Sequence, residues 1–282
     1  MEWNPEHSFS LRHPGAKVNV ERGFPFDAPL AQELTRARQD FIQRFLAEIR
    51  TKAVLRDALD VGCGVGYLSK FLLDLGFEVV AMDGREENII EARKRYPGIT
   101  FLTADAERLR NEVEPHDLVL CAGLLYHLEN PFRVIRNLHA LTQKVLILES
   151  MCTPGPGAAM ELLDEGSSED QGLNFVAFYP TEECLVKMLY RSGFPFVYLF
   201  QRLPEHSLYR QSARRKRERT VMVASKLPLN APNLSLAQEP MRPVMGLSDP
   251  WTTRLMRARY FLGGLRRSLL NALRSSPSNR GS

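Results

Sequence analysis

One segment constrains the fold of this chain more than any other: Leu59-Asp60-Val61-Gly62-Cys63-Gly64-Val65-Gly66-Tyr67-Leu68. A short apolar run over 53–59 leads into Asp60, three glycines follow at alternate positions, and a helical pattern begins near Tyr67. Glycine is needed where the backbone adopts a positive φ or where a ligand lies against it. A helix that begins behind such a turn offers unpaired N–H groups to that ligand. The segment therefore predicts a buried strand that turns sharply into a helix beside a nucleotide-like pocket.

The spacing of the glycines narrows the choice of ligand. A dinucleotide-binding turn has the pattern G-x-G-x-x-G, but here Gly66 comes one residue early and Tyr67 takes the sixth position. No lysine of the P-loop type follows. The spacing therefore disfavours a dinucleotide-dependent oxidoreductase, which stays as an alternative of a different class, beside a glycine-rich turn that binds nothing.

Strand patterns alternate with helix patterns on both sides of the glycine turn. Apolar strands are predicted at 53–59, 77–82, 99–103, 117–121 and 144–148, and helices at 67–75, 86–96 and 131–141. This alternation, with strands made mostly of Val, Leu and Ile, predicts a parallel sheet that helices cover on both faces. Farther on, Thr181 is placed to cap a helix that ends at Gly193, and strands follow at 196–200 and 220–224.

The motif D-x-G-x-G-x-G, together with this order of elements, resembles the class I S-adenosylmethionine (SAM)-dependent methyltransferases over about residues 55–226. The resemblance implies a Rossmann-like α/β fold: a doubly wound, seven-stranded, mostly parallel sheet with helices on both faces. The sixth and seventh strands would form an edge hairpin, with the last strand antiparallel. It also implies that S-adenosyl-L-methionine is the cofactor.

Acidic residues close three successive predicted strands, at the sheet edge where open α/β folds bind ligands. An acid about 20 residues after the glycines can accept both hydroxyl hydrogen bonds of a ribose, and Asp83 stands there. The resemblance assigns the adenine amine to Asp105 with the backbone of Ala106, and the methionine end to Asp60. The predicted cofactor-binding residues are Asp60, Gly62, Cys63, Gly64, Gly66, Tyr67, Asp83, Gly84, Asp105, Ala106 and Cys121.

Three residues are candidates for the chemistry of transfer. The methyl group of a sulfonium is already activated, so the enzyme mainly aligns it with the nucleophile, and a hydroxyl acceptor also needs a base. His127 follows the fourth strand and has a side chain that titrates near neutral pH, although it can instead bind a backbone carbonyl. Tyr126 is expected to line the transfer site. Glu149, at the end of the fifth strand, is the third candidate, as a base or a substrate contact, unless it is a turn residue.

Missing motifs narrow the acceptor. No N-P-P-Y or D-P-P-Y follows the fourth strand, so the signature for methylating an exocyclic base amine is absent, and no Pro-Cys dipeptide serves a cytosine C5 mechanism. The acidic stretch 161–170 fits no metal-ligand spacing, and no metal site is predicted. We therefore predict methyl transfer to an oxygen of a small molecule or glycan, with a nitrogen as the second choice. The alternative to an enzyme is a module that binds SAM without catalysing a reaction.

A narrower resemblance keeps RNA as a second alternative. Gly123-Leu124-Leu125-Tyr126-His127, Leu148-Glu149-Ser150 and the segment 174–180 are similar in order and spacing to the enzymes that transfer a carboxymethyl group to the wobble uridine of tRNA. Those enzymes use a carboxylated SAM derivative. Here Asp105 is followed by a different loop. The basic stretch 210–219 can hold RNA phosphates by charge, but only Tyr209 lies near it for stacking.

The remaining segments suggest a modular chain. We predict an N-terminal arm and docking helix over 1–50, the SAM-binding domain over 51–226, a proline-rich linker over 227–250 and a tail over 251–282. The arm either closes over the pocket or packs on the surface. The net charge is +4, yet the tail holds seven arginines with neither lysine nor acid. Its leucines fall on one stripe, which predicts a basic amphipathic helix.

The tail and the start of the chain suggest where the protein is located and what it binds. A basic amphipathic helix docks on its own domain, lies on an anionic membrane surface or binds another partner. Four widely separated cysteines and a polar start of the chain predict a reducing, cytoplasmic location. That location would be peripheral to the membrane if the tail binds anionic lipid. The sequence gives no indication of the oligomeric state.

Overall fold

A computed structural model describes residues 24–49, 53–109, 113–165, 173, 176–211 and 218–240. The chain divides into two units, residues 1–240 and 241–282, and all described residues belong to the first. Several predictions lie outside the described residues: the arm up to residue 23, the second half of the acidic stretch, residues 174 and 175, most of the basic loop and the amphipathic tail.

Ten strands and five α-helices make up the described part of the chain. The strands are β1 (Asp57–Val61), β2 (Glu78–Asp83), β3 (Thr100–Thr103), β4 (His116–Ala122), β5 (Thr142–Met151), β6 (Met160–Asp164), β7 (Val176–Pro180), β8 (Phe196–Phe200), β9 (Arg219–Ser225) and β10 (Leu234–Leu236). The helices are α1 (Pro29–Ile49), α2 (Tyr67–Asp74), α3 (Glu86–Arg95), α4 (Pro131–Leu141) and α5 (Glu182–Ser192).

The main sheet has the strand order β10-β8-β9-β5-β4-β1-β2-β3. Strands β5, β4, β1, β2 and β3 pair in parallel, whereas β9 runs antiparallel to both β5 and β8, and β10 antiparallel to β8. The parallel pairing brings the carboxyl ends of β1 to β5 to one edge. All of β4 except its last residue is buried, which explains the unbroken apolar run from Leu118 to Ala122.

Two apolar cores lie on opposite faces of this sheet. On one face α1, α2 and α3 bury side chains such as Phe45, Leu72 and Ile89. On the other, α4 and α5 bury side chains such as Leu138 and Leu189. Burial of each apolar side chain is worth about 1.5–3 kcal/mol, so the two layers fix the sheet and with it the edge where the predicted acids lie.

The predicted α/β fold with a mostly parallel sheet is confirmed. Helix α4 and strand β8 have the predicted bounds, and most other ends shift by one to four residues. Helix α5 begins and ends as predicted: Thr181 Oγ1 accepts a hydrogen bond from the Cys184 amide at 3.1 Å, and Gly193 adopts a φ of +113°.

The strand count differs from the prediction, because the main sheet has eight strands rather than seven. The additional strand, β10, lies past residue 226 in the segment assigned to a linker. It pairs with β8, while Leu229 and Ala231 before it are buried. Strands β6 and β7 form a separate antiparallel pair that the sequence analysis missed, because exposed Met160 and Leu162 on β6 give no inward apolar face. Within the described ranges, none of the helices has the length and apolarity needed to cross a membrane.

Candidate active site

A cavity of about 400 Å³ opens at the carboxyl edge of the parallel strands. The loops after β2, β3 and β4 form one side, and the segment from Pro25 to Arg38 covers the other. Seven of the predicted site residues line it: Gly62, Asp83, Gly84, Asp105, Ala106, Tyr126 and His127. The topology therefore brings the predicted cofactor and transfer residues to one place.

The glycine turn requires glycine for two physical reasons. Gly62 and Gly64 have φ values of +78° and +54°, which side chains rarely tolerate. A Cβ on Gly62 would also lie 2.8 Å from Leu124 Cβ, and one on Gly64 would lie 2.8 Å from Cε1 of Phe26. The glycines therefore allow neighbouring groups to approach the turn closely and allow its backbone to adopt positive φ values, as the sequence predicts.

Asp83 connects the end of β2 to the glycine turn. Its Oδ2 accepts a hydrogen bond from the Gly64 amide at 2.9 Å, and its Oδ1 accepts from the Arg85 amide at 2.9 Å and from Asn88 Nδ2 at 3.1 Å. Burial raises the pKa of the Asp83 carboxyl, although these three donors favour its ionised form. Asp83 thus lies in the cavity wall as a carboxylate held in a fixed orientation.

The loop after β3 supplies the next part of the wall. Asp105 accepts a hydrogen bond from the Glu107 amide at 2.9 Å, and the Ala106 carbonyl accepts one from Asn137 Nδ2 at 2.8 Å. Because Asn137 lies on α4, the loop is tied to the helix layer. These contacts fix the backbone at the position that the resemblance assigns to adenine.

Asp60 lies beneath the turn rather than in the wall of the cavity. Its side chain is 1% exposed, and Ser69 Oγ donates a hydrogen bond to its Oδ2 at 2.7 Å. Burial raises the pKa of the Asp60 carboxyl to about 7. The residue therefore joins β1 to α2, and it influences the cavity through the turn above it.

His127 and Glu165 face each other in the same cavity. His127 closes a short 3-10 turn, Leu125–His127, after β4, and its Nδ1 makes a hydrogen bond to Glu165 Oε1. Glu165, at the end of β6, is 5% exposed in its side chain. A carboxylate at Nδ1 leaves Nε2 as the nitrogen available to another partner. The pair thus has the arrangement of a base and the group that orients it.

Glu149 is not suited to the role of base. Its Oε2 accepts from Arg38 Nη2 at 2.8 Å, and its Oε1 accepts from Arg219 Nη1 and the Tyr209 hydroxyl, each at 2.9 Å. Burial by itself would raise the pKa of this carboxyl, but the two guanidiniums lower it below its usual value. A fully engaged carboxylate of low pKa is a poor proton acceptor, so Glu149 is an anchor for the arginines.

Residues 58–144 match the methyltransferase domain family. The chain contains a methyltransferase domain. The family match covers about a third of the chain. S-adenosylmethionine, the cofactor that the motif predicts, is a methyl donor and agrees with this match.

Curated relatives of the methyltransferase domain cover a limited part of the chain. The ubiquinone biosynthesis O-methyltransferase of Rickettsia typhi (strain ATCC VR-144 / Wilmington) is 38% identical over 84 residues, which are 28% of this chain and 34% of that protein. The chain thus spans about a third of the length of the curated relatives it matches.

Solved structures share the fold over a longer stretch. The N-terminal domain of EvdMO1 with SAH bound has a TM-score of 0.52 and 22% identity, covering 66% of this chain and 80% of that one. Magnesium protoporphyrin IX methyltransferase (ChlM) from Synechocystis PCC 6803 with bound SAH has a TM-score of 0.51 and 20% identity, covering 71% and 88%. This likeness shows that the fold is the same.

Besides Asp60 and Gly64, four predicted cofactor residues of the methyltransferase domain do not line the cavity. Cys121 is fully buried in the core of β4, where burial raises the pKa of its thiol. Cys63 packs against the other core, and burial likewise raises the pKa of its thiol. Gly66 begins α2 beneath the turn. The Tyr67 hydroxyl donates to Asp27, so its polar group points to the covering segment.

That covering segment, residues 24–28, is attached by a charged contact. Asp27 accepts two hydrogen bonds from the Arg95 guanidinium on α3, at 2.7 and 2.8 Å. The same guanidinium lies over the rings of Phe24 and Tyr67 at 5.5 and 5.6 Å. Phe26, which lines the cavity, is thereby held against Gly64. This part of the N-terminal arm closes over the pocket of the methyltransferase domain.

The sequence analysis missed four charged residues that line the cavity: Arg38, Arg85, Glu165 and Arg219. Arg38 carried a signal, since it is four residues after Leu34 and three before Phe41 and therefore lies on the inward face of α1. Arg219 was assigned to the basic RNA-facing stretch. It instead begins β9 and is 8% exposed, because it pairs with Glu149. Glu165 had no local signal within the acidic stretch.

Proposed function

We propose that this chain transfers a methyl group from SAM to an oxygen of a small-molecule acceptor, with His127 as the general base. The observation that carries the proposal is the His127–Glu165 pair, which lies in the same cavity as Asp83 and the glycine turn. The relatives named as ubiquinone biosynthesis O-methyltransferases support oxygen as the receiving atom. A glycan hydroxyl is an acceptor of the same chemistry.

The residues present fit SAM. The Asp83 carboxylate would accept hydrogen bonds from the ribose, and Asp105 with the Ala106 backbone would bind the adenine. The turn at Gly62 would take the methionine end, with Asp60 beneath it. SAM supplies a sulfonium-bound methyl group that is already activated for displacement. The protein has to hold the donor and the acceptor in line.

His127 would remove the proton that the acceptor hydroxyl loses. Neutral imidazole accepts a proton at one nitrogen while the other donates a hydrogen bond. With Glu165 at Nδ1, the proton resides on Nδ1 and the lone pair on Nε2 is available for the acceptor. The imidazolium that forms is stabilised by the Glu165 carboxylate. Tyr126 lies beside His127, with ring centroids 4.1 Å apart, and limits the positions that an acceptor can take.

The test combines cofactor binding with turnover. Calorimetry with SAM and with NAD comes first, and binding of NAD without binding of SAM would overturn the assignment. Formation of S-adenosylhomocysteine is then measured with hydroxylated aromatics and monosaccharides as acceptors. His127→Asn should lower kcat by about 10²–10⁴-fold and leave the Kd for SAM unchanged. His139→Asn, on α4 next to Phe194 rather than in the cavity, is the matched control.

A loss of SAM binding in His127→Asn would place His127 in the cofactor site instead of the acceptor site. An unchanged kcat with every acceptor that turns over would remove it from the chemistry. RNA and membrane partners stay predictions. Arg219 gives no support to the RNA alternative, because it is buried and pairs with Glu149.

A further inference from the structure

Two arginines in the cavity wall share a single carboxylate. Arg38 on α1 and Arg219 on β9 each bind one oxygen of Glu149, at 2.8 and 2.9 Å. Arg219 Nη2 also donates to the Tyr126 hydroxyl at 2.8 Å. Both arginines line the cavity, as do Tyr126 and His127. We call Arg38, Glu149 and Arg219 the arginine wall.

The arginine wall contains more positive than negative charge. Burial alone would lower the pKa of both guanidiniums, but Glu149 raises it, so both stay charged. Arg38 also acts on the buried Asp60, but burial raises the pKa of that carboxyl to about 7, so it is only partly ionised at neutral pH. Glu165 is engaged by His127. A charge removed from water is costly unless a counter-charge pairs with it.

The wall also contains more donors than it uses. Two guanidiniums carry ten N–H groups; three of these are donated to Glu149 and Tyr126, and Arg38 also hydrogen-bonds to Tyr209. Among the described residues, neither Nε has a hydrogen-bond partner. A planar guanidinium pairs best with a carboxylate or phosphate, which it can bind through two parallel hydrogen bonds.

We propose that the arginine wall binds an anionic group of the acceptor, so that the acceptor is a hydroxylated carboxylate or phosphate rather than a neutral alcohol or phenol. This inference rests on the proposed function. The anion supplies the missing counter-charge, and its binding places a hydroxyl of the same molecule beside His127. The positive charge of the arginine wall would select the acceptor, and His127 would determine which hydroxyl oxygen receives the methyl group.

The experiment compares probes that differ only in the anion. Calorimetry on the full chain saturated with S-adenosylhomocysteine measures the Kd for 3,4-dihydroxybenzoate against catechol, and for glucose 6-phosphate against glucose. We expect one anionic member to bind about ten- to hundredfold more tightly than its neutral partner, with an affinity that falls as salt rises. The pair that shows the preference distinguishes carboxylate from phosphate.

Variants connect that preference to the wall. Arg38→Gln should reduce the preference to about twofold or less, whereas Arg38→Lys should retain part of it through the charge alone. Arg36→Gln, on the exposed side of α1, is the matched control and should retain all of it. Circular dichroism and the Tm of each variant show whether it is folded. If Arg38→Gln is not folded, Arg38→Lys is compared with wild type instead.

Several results would overturn the inference. Equal binding of both members of each pair, or a preference that Arg38→Gln leaves unchanged, would make the wall a structural feature. A carboxylated SAM could also bind more tightly than SAM itself, with the difference lost in Arg38→Gln. That result would mean that the arginine wall binds an anionic group of the cofactor and not of the acceptor. Failure to bind SAM or S-adenosylhomocysteine in any form of the protein would instead reject the proposed function.

Discussion

The amide of Gly64 donates a hydrogen bond to Oδ2 of Asp83 at 2.9 Å, which joins the glycine turn after β1 to the acid that ends β2. Because the two strands are neighbours in the sheet, this bond fixes the turn relative to the carboxylate. One aspartate therefore has two tasks: it orders the turn and it presents an acceptor to the cavity. Its substitution should affect both.

Asp83→Ala should weaken SAM binding by about 1–3 kcal/mol, because the ribose loses its carboxylate partner. The unpaired Gly64 and Arg85 amides should also lower the free energy of unfolding. Asp83→Asn keeps an oxygen acceptor, so we expect a smaller loss of stability while SAM binding still falls. Calorimetry gives the Kd and urea unfolding gives the stability.

Asp74→Ala is the control for Asp83, since this exposed acid pairs only with Lys70 at the surface of α2. It should change neither quantity. An Asp83→Ala protein with the wild-type Kd would show that the ribose lies elsewhere in the cavity.

Glu165→Gln should lower kcat while leaving the KM for SAM unchanged. The amide can no longer stabilise the imidazolium of His127, and it can present its NH₂ group to Nδ1, which reverses the tautomer. We expect a loss of about tenfold or more in kcat. Glu165→Asp should restore part of it, since the charge returns. Steady-state kinetics with SAM varied at saturating acceptor separates kcat from the KM for SAM.

The neighbouring Asp164→Asn, whose side chain is exposed, controls for a general effect on the end of β6. If Glu165→Gln raised the KM for SAM and left kcat intact, Glu165 would be a structural residue of the cofactor site and not a positioning residue for His127.

Phe26 and Gly64 should be coupled energetically. Gly64→Ala places a Cβ 2.8 Å from the Phe26 ring and also strains a residue at a φ of +54°. Phe26→Ala removes the clash but not the backbone strain. In a double-mutant cycle by urea unfolding, we therefore expect Gly64→Ala to cost less in the Phe26→Ala background. The coupling should be about 0.5–3 kcal/mol. Strictly additive changes would mean that the covering segment moves away freely.

Local patterns predicted the part of the site that lies on consecutive elements. The strand, glycine turn and helix around Gly62 follow from backbone conformation, and the acid at Asp83 follows from its place after the next strand. The limits of α5 were equally visible, because Thr181 and Gly193 act on backbone groups within a few residues. Such signals lie in one stretch of sequence and do not depend on the tertiary fold.

Long-range charge pairs could not be predicted in this way. Arg38 lies 111 residues from Glu149, and His127 lies 38 residues from Glu165. The local sequence does not indicate which acid pairs with which basic residue, because the pairing depends on how α1 packs and on where the β6–β7 pair lies. The same reason explains why Glu149 seemed available as a base. Its two arginine partners come from opposite ends of the domain.

Asp60 should give the stability of the domain a pH dependence of unusual sign. Its pKa is about 7 in the folded protein because of burial, against 3.8 as the ordinary value. Between those values the native state holds a proton that the unfolded chain has lost. The free energy of unfolding therefore decreases as pH rises through this window, and the contribution levels off above about pH 7.

Asp60→Asn removes this titration while keeping an oxygen to accept the Ser69 hydroxyl. Other groups contribute equally to both proteins, so the difference between variant and wild type isolates Asp60. Between pH 5 and pH 8 we expect the variant to gain on the order of 2 kcal/mol relative to wild type, measured by urea unfolding at each pH. Parallel curves would contradict a raised pKa.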